Sequence, residues 1–201
     1  MKYLLITPLV LMFLTTAAFA QSDTQKSAEK PKTQPAPAQP AQAQDNPLSA
    51  ANKFGYGFLK SALISTAEKM PEENYNFKPT WLLRSFGQAI GHVAGSQYYF
   101  CSMVLGEKAP NPKIDPKATK ADLIAALKDS FAYCDKAYGS MTDASATQMV
   151  KFRGMEFPKL FVLTANSMHT IEHYGNLVVY MRLKNILPPT SEPTFMQQAQ
   201  K

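Results

Sequence analysis

The sequence has little of what most functional readings need. Its 201 residues include three histidines and two cysteines. The cysteines, Cys101 and Cys134, are far apart and form no C-x-x-C pair, so a cysteine metal site is not indicated. No stretch alternates apolar and polar residues long enough to argue for a sheet, and no internal repeat is visible. The 21 Lys plus Arg against 15 Asp plus Glu leave a net charge of +6, but no basic run or basic face with interleaved aromatics stands out. Nucleic acid is therefore discounted as a partner, and the charge reads as a solvated surface.

Long apolar runs are also missing. The longest, Tyr3 to Leu14, is too short for a comfortable membrane span. It follows a basic Met1-Lys2 start and precedes Ala18-Phe19-Ala20, where small residues occupy the two positions a signal peptidase inspects. Residues 1–20 therefore read as a cleavable signal peptide, with no cysteine to accept a lipid, and the expected location is periplasmic or secreted. An uncleaved signal anchor is the competing reading. From 21 to 46 the chain is rich in Pro, Ala and Gln, with nothing aromatic or branched aliphatic to bury, so it is expected to be disordered.

What is present is helical periodicity. Residues 47–201 are enough chain for one domain, and four segments in them carry apolar stripes at three-and-four spacing. The first runs from about Leu48 to Met70 and is closed by Pro71; the second runs from about Arg84 to Leu105 and is stopped by Gly106. The third opens at Thr119, a plausible N-cap with Asp122 three residues on, and carries Leu123, Leu127, Phe131, Cys134 and Tyr138. The fourth begins with Pro158 in its first turn and ends near Lys184, shortly before Pro188-Pro189. The fold class is all-α. The link from Glu107 to Ala118 contains three prolines that favour an extended path, so helices two and three are free to run parallel. In that arrangement a disulfide between Cys101 and Cys134 is geometrically open. Two buried free thiols are the other reading, favoured slightly because a bridge also needs the alpha carbons within about 7 Å.

The chemistry centres on the histidines. His169 and His173 are four apart in a helix, the spacing two imidazoles need to share an ion, and a bundle can bring His92 of the second helix to face them. Three imidazoles would leave positions open for water or substrate, as in a catalytic rather than a structural metal site. Spacing alone leaves this level with the alternative of ordinary core histidines.

The residues around them add a resemblance. Arg84-Ser85-Phe86-Gly87-Gln88-Ala89-Ile90-Gly91-His92-Val93-Ala94 and His169-Thr170-Ile171-Glu172-His173-Tyr174-Gly175-Asn176-Leu177 resemble the two metal-ligand helices of the DinB/YfiT-like superfamily. The likeness extends to Met70-Pro71-Glu72-Glu73-Asn74-Tyr75 and to Arg182 through Pro189. It implies a four-helix bundle with a crossover connection between helices 2 and 3. It also implies a divalent metal ion, nickel, zinc or iron, on His92, His169 and His173. Characterised members of that superfamily include thiol-dependent transferases and isomerases, so it implies the site more firmly than a reaction. A metal-dependent transferase or hydrolase acting on a small molecule, with water or a thiol as second reactant, is one expectation; a non-catalytic extracytoplasmic metal-binding module is the other. A homodimer is open.

His169-Thr170-Ile171-Glu172-His173 also matches the H-x-x-E-H string of inverted zinc proteases. Those enzymes resemble this chain in the string alone. They need a further carboxylate well downstream, where only Glu192 is on offer. Gln88, Asn166, Asn176 and Glu172 lie close enough in sequence to hydrogen-bond an imidazole. Gly95 and Ser96 either leave a cavity over the metal or let two helices approach. Arg153, Tyr98 and Tyr99 are candidate substrate contacts, each with an ordinary surface or packing role as its alternative.

Overall fold

A computed structural model describes residues 46–111, 114 and 118–195. The expected signal peptide and nearly all of the Pro/Ala/Gln segment lie outside the described residues. The domain consists of α1 (Pro47–Lys69), α2 (Phe86–Leu105), α3 (Lys120–Ser140), a short α4 (Asp143–Ala146), two strands β1 (Met149–Phe152) and β2 (Met155–Pro158), and α5 (Lys159–Leu183).

The helix ends follow from local chemistry. Ser85 and Gln88 form a reciprocal capping box, which leaves Arg84 outside α2 rather than at its start. Thr119 and Asp122 form the same box at α3, where the sequence placed the cap. Gly106 ends α2 in the left-handed conformation that glycine adopts without a Cβ clash.

Helix directions can be read from paired residues. A Cβ built on Gly87 or Gly91 would meet Leu123 within 3.4 Å, and farther along the same two helices Cys101 is joined to Cys134. Starts meet starts and later halves meet later halves, so α2 and α3 run parallel and their connection is a crossover. In contrast, α1 runs against α3: Tyr56 stacks on Tyr138 with ring centroids 3.8 Å apart, and Glu68 pairs with Lys128. Phe86, Ile90, Leu63, Phe131, Leu127 and Leu177 fill the core among these helices.

One expectation is corrected, and one local feature goes beyond the sequence reading. The cysteines are not free thiols: Cys101 and Cys134 are bridged, with alpha carbons 5.3 Å apart, because parallel packing puts both in the second half of their helices. The helical fold also carries one short hairpin. Met149–Phe152 pairs antiparallel with Met155–Pro158, and the two-residue turn between them has Arg153 at φ 51° and Gly154 at φ 83°. Positive φ at both positions is what a twisted two-residue hairpin needs. Strands of four residues are too short for alternation to show in the sequence.

The bridge closes a loop across 33 residues, and loop-closure entropy for that length is worth about 3–4 kcal/mol. Replacing both cysteines by serine should therefore lower the urea-unfolding free energy by roughly 2–4 kcal/mol, and added reductant should have no further effect on that variant.

Candidate metal centre

α2 and α5 run antiparallel and present the three histidines to each other. The Nε2 atoms of His92 and His169 are 3.1 Å apart, and those of His169 and His173 are also 3.1 Å apart. The ligand-capable nitrogens of all three fall within 4.8 Å of one another. His173 is buried and the other two are partly buried.

Three imidazoles converging through the same nitrogen need something between them. The Nε2 of His169 has one in-plane site, which can hold a proton or a lone pair but cannot satisfy two partners well. A single ion about 2.1 Å from each nitrogen would hold such donors roughly 3.0–3.4 Å apart, and the His92–His169 and His169–His173 pairs have that spacing. The donor set fits a divalent ion with positions left for other ligands.

The electrostatics keep the rings neutral. Burial, then the neighbouring His173 and His92, push the His169 pKa down to about 4. Burial also lowers His92, helped by Arg84 and His173. Burial lowers His173, with Arg84 adding to the effect and Glu172 opposing it. A neutral imidazole has its lone pair free, the form in which it binds a metal.

The rings are aimed by a buried polar cluster one to two turns along. The Gln97 side-chain amide donates to Thr170 Oγ1 at 2.9 Å, and that of Asn166 donates to Gln97 Oε1 at 2.8 Å. Thr170 Oγ1 donates in turn to the Asn166 carbonyl at 2.8 Å. Asn166 also reaches the Tyr138 hydroxyl at 3.2 Å and lies 3.9 Å from both bridged sulfurs. Gln97 is fully buried on α2, and a polar residue in such a place signals a partner across the core.

The sequence-selected neighbours hold other posts. Gln88 is exposed, and its side chain accepts the Ser85 N–H in the α2 cap. Asn166 works in the cluster just described, and Asn176 is exposed. Glu172 is exposed and acts on the imidazoles through its charge, favouring their protonated forms. None of the four hydrogen-bonds an imidazole, and the buried His169 Nδ1 has no partner among the described residues. At Gly95 an added Cβ would meet nothing within 4 Å, so its size does not serve a close helix approach. Tyr98 packs on Tyr133, Tyr99 on Phe100, and Arg153 lies over the Phe152 ring at the hairpin turn.

Beside His92 a cavity of about 370 Å³ opens between the start of α2, the start of α3 and the segment before α2. Tyr75, Asn76, Ser85, Ile114 and Leu123 are among its walls, and among the described residues no charged side chain lines it. Its walls come from four separate stretches of chain, which no local motif marks.

The DinB superfamily model matches residues 59–177, a span that contains all three histidines. Two solved structures share the fold. A DinB-like protein from Bacillus subtilis is 20% identical, covers 70% of this chain and 93% of its own, and has a TM-score of 0.56. A DinB-like protein from Bacillus cereus is 16% identical, covers 66% and 89%, and has a TM-score of 0.58. No curated protein matches the chain. With parallel second and third helices, a facing histidine triad and a family match over more than half its length, this chain belongs to the DinB superfamily.

Proposed function

We propose that His92, His169 and His173 hold one divalent ion, nickel, zinc or iron, and that the protein is an exported transferase or hydrolase acting on a small molecule. The carrying observation is the convergence of three Nε2 atoms beside a cavity, with that of His169 3.1 Å from each of the other two. An ion bound there supplies Lewis-acid activation of water or a thiol.

The chain's own residues support the rest of the reading. His92 contributes to the cavity wall, so a molecule in the cavity lies against a ligand of the site. A volume of about 370 Å³ is in the range of small-molecule pockets. The described part of its wall is uncharged, which suits an uncharged portion of a substrate. Asn76 and Ser85 offer polar groups to orient it. The Cys101–Cys134 bridge favours an oxidising compartment, in keeping with the export signal read in residues 1–20.

Untagged protein should contain about one metal ion per chain, and His173→Ala should lose at least most of it; a metal content unchanged by that substitution would refute the site. Electrophiles offered with water or with thiols should turn over, and chelator should stop them. A module that only carries the ion would bind it and show no turnover. Ala118→Phe, which fills the cavity from its rim, should cut turnover about tenfold or more while leaving metal content unchanged.

The metal-free protein carries its own pH signature. The imidazoles take up protons at lower pH in the folded chain than in the unfolded one, so the unfolded state binds more protons over this window. Stability of chelator-treated protein should therefore hold above pH 6.5 and decline as the pH falls from there toward about 4, the His169 value, in thermal melts.

A further inference from the structure

Between Phe77 and Phe86 the chain leaves the bundle and comes back. The Phe86 N–H donates to the Phe77 carbonyl at 2.9 Å and the Gly87 N–H to the Tyr75 carbonyl at 2.8 Å, which closes the neck of this loop. At the tip, Trp81 is 82% exposed, Leu82 73% and Leu83 44%. Three consecutive large apolar residues cannot share one face of a helix, and here none of them is buried. Contiguous exposed apolar surface of this kind marks a place of contact.

The loop is fastened to the end of α5. Tyr180 donates its hydroxyl to the Arg84 carbonyl at 2.9 Å, Phe77 packs edge-on against Tyr180, and the Lys184 ammonium lies 4.1 Å from the Phe77 ring centroid. Lys78, Arg84, Arg182 and Lys184 are thus gathered at this end, and none forms an ion pair among the described residues. Leu183 and Leu187, 55% and 53% exposed, belong to the same end.

We propose that this loop docks the protein onto a membrane surface rich in anionic lipid, with Trp81, Leu82 and Leu83 entering the interface and the four cations meeting headgroups. An indole, apolar with one N–H donor, suits the boundary between hydrocarbon and water. Basic side chains around an inserted apolar tip add attraction to anionic headgroups. The charge argues against a second copy as the occupant, since a two-fold contact would bring these cations against themselves. Tyr75, Asn76 and Ser85, at the neck, line the cavity, so docking would bring its mouth to the lipid surface. The inference stands whether or not the metal centre is catalytic.

Trp81 is the only tryptophan in the chain, so intrinsic emission reports on the loop alone. The full chain should be titrated with phosphatidylglycerol vesicles and, separately, with phosphatidylcholine vesicles. The expected result is a blue shift with phosphatidylglycerol, little shift with phosphatidylcholine, and reversal by salt. A Leu82→Ser/Leu83→Ser double variant keeps the reporter and should weaken partitioning roughly tenfold, with circular dichroism and metal content unchanged. Co-sedimentation with vesicles while Trp81 emission stays fixed would assign the binding to another part of the chain, such as Tyr3 to Leu14, and overturn the proposal. A blue shift that follows protein concentration without lipid would overturn it in favour of self-association.

Discussion

The rotation of α5 against α2 is the constraint on which the site depends. Neighbouring residues in a helix are about 100° apart around its axis, so a modest turn of either helix would send His169 and His173 away from His92. Apolar contacts resist such a turn poorly, since one aliphatic side chain can replace another at small cost. Directional bonds resist it well. Gln97, Asn166 and Thr170 bond to one another across the α2–α5 contact in full burial, and breaking that set would strand polar groups in the core. Because Thr170 follows His169 directly, its rotation fixes that of the imidazole beside it.

The same burial sets the chemistry. Imidazoles in a half-dry site lose hydration when charged, so all three pKa values fall, and repulsion from neighbouring imidazoles lowers His92 and His169 further. That repulsion is a cost in the metal-free protein and an advantage in ligation, since less free energy goes to displacing protons. Glu172 works the other way, favouring protonation, and its exposure keeps the effect modest.

The fold was largely legible because its signals are local. Four apolar stripes, the Thr119 cap and the Gly106 stop all appear as short-range patterns, and the structure places helices on them. The crossover was legible only as a permission, from a proline-bearing link; its proof lies in the contacts of Gly87 and Gly91 with Leu123 and in the disulfide, which are long-range facts. The hairpin was missed because four residues per strand carry no usable period, though Arg153-Gly154 fits its turn once the strands are known. Of the site, the i, i+4 pair was visible and its meeting with His92 was an inference from bundle geometry. The contacts of Gln88 and Asn166 were not readable, because sequence proximity to a histidine does not say which way a side chain points. Gln88 was taken by a helix cap and Asn166 by the core.

The bundle divides its labour along the length of α2. Cys101, in the second half of that helix, ties it covalently to α3, and Asn166 lies against the sulfurs from α5, so three helices meet at one fixed point. His92 lies in the first half, between that point and the end where the cavity and the Phe77–Phe86 loop open. A site placed there inherits a rigid frame from one side and access from the other. The segment before α2 serves both needs: Ser85 caps the helix that carries His92, Tyr75 and Asn76 wall the cavity, and Trp81 to Leu83 form the outermost surface. A change at the Trp81 to Leu83 tip therefore alters the approach to the histidines without disturbing how they are held, because the Ser85 cap, the Gln97–Asn166–Thr170 cluster and the disulfide lie elsewhere. The holding of the triad is thus separated from access to it.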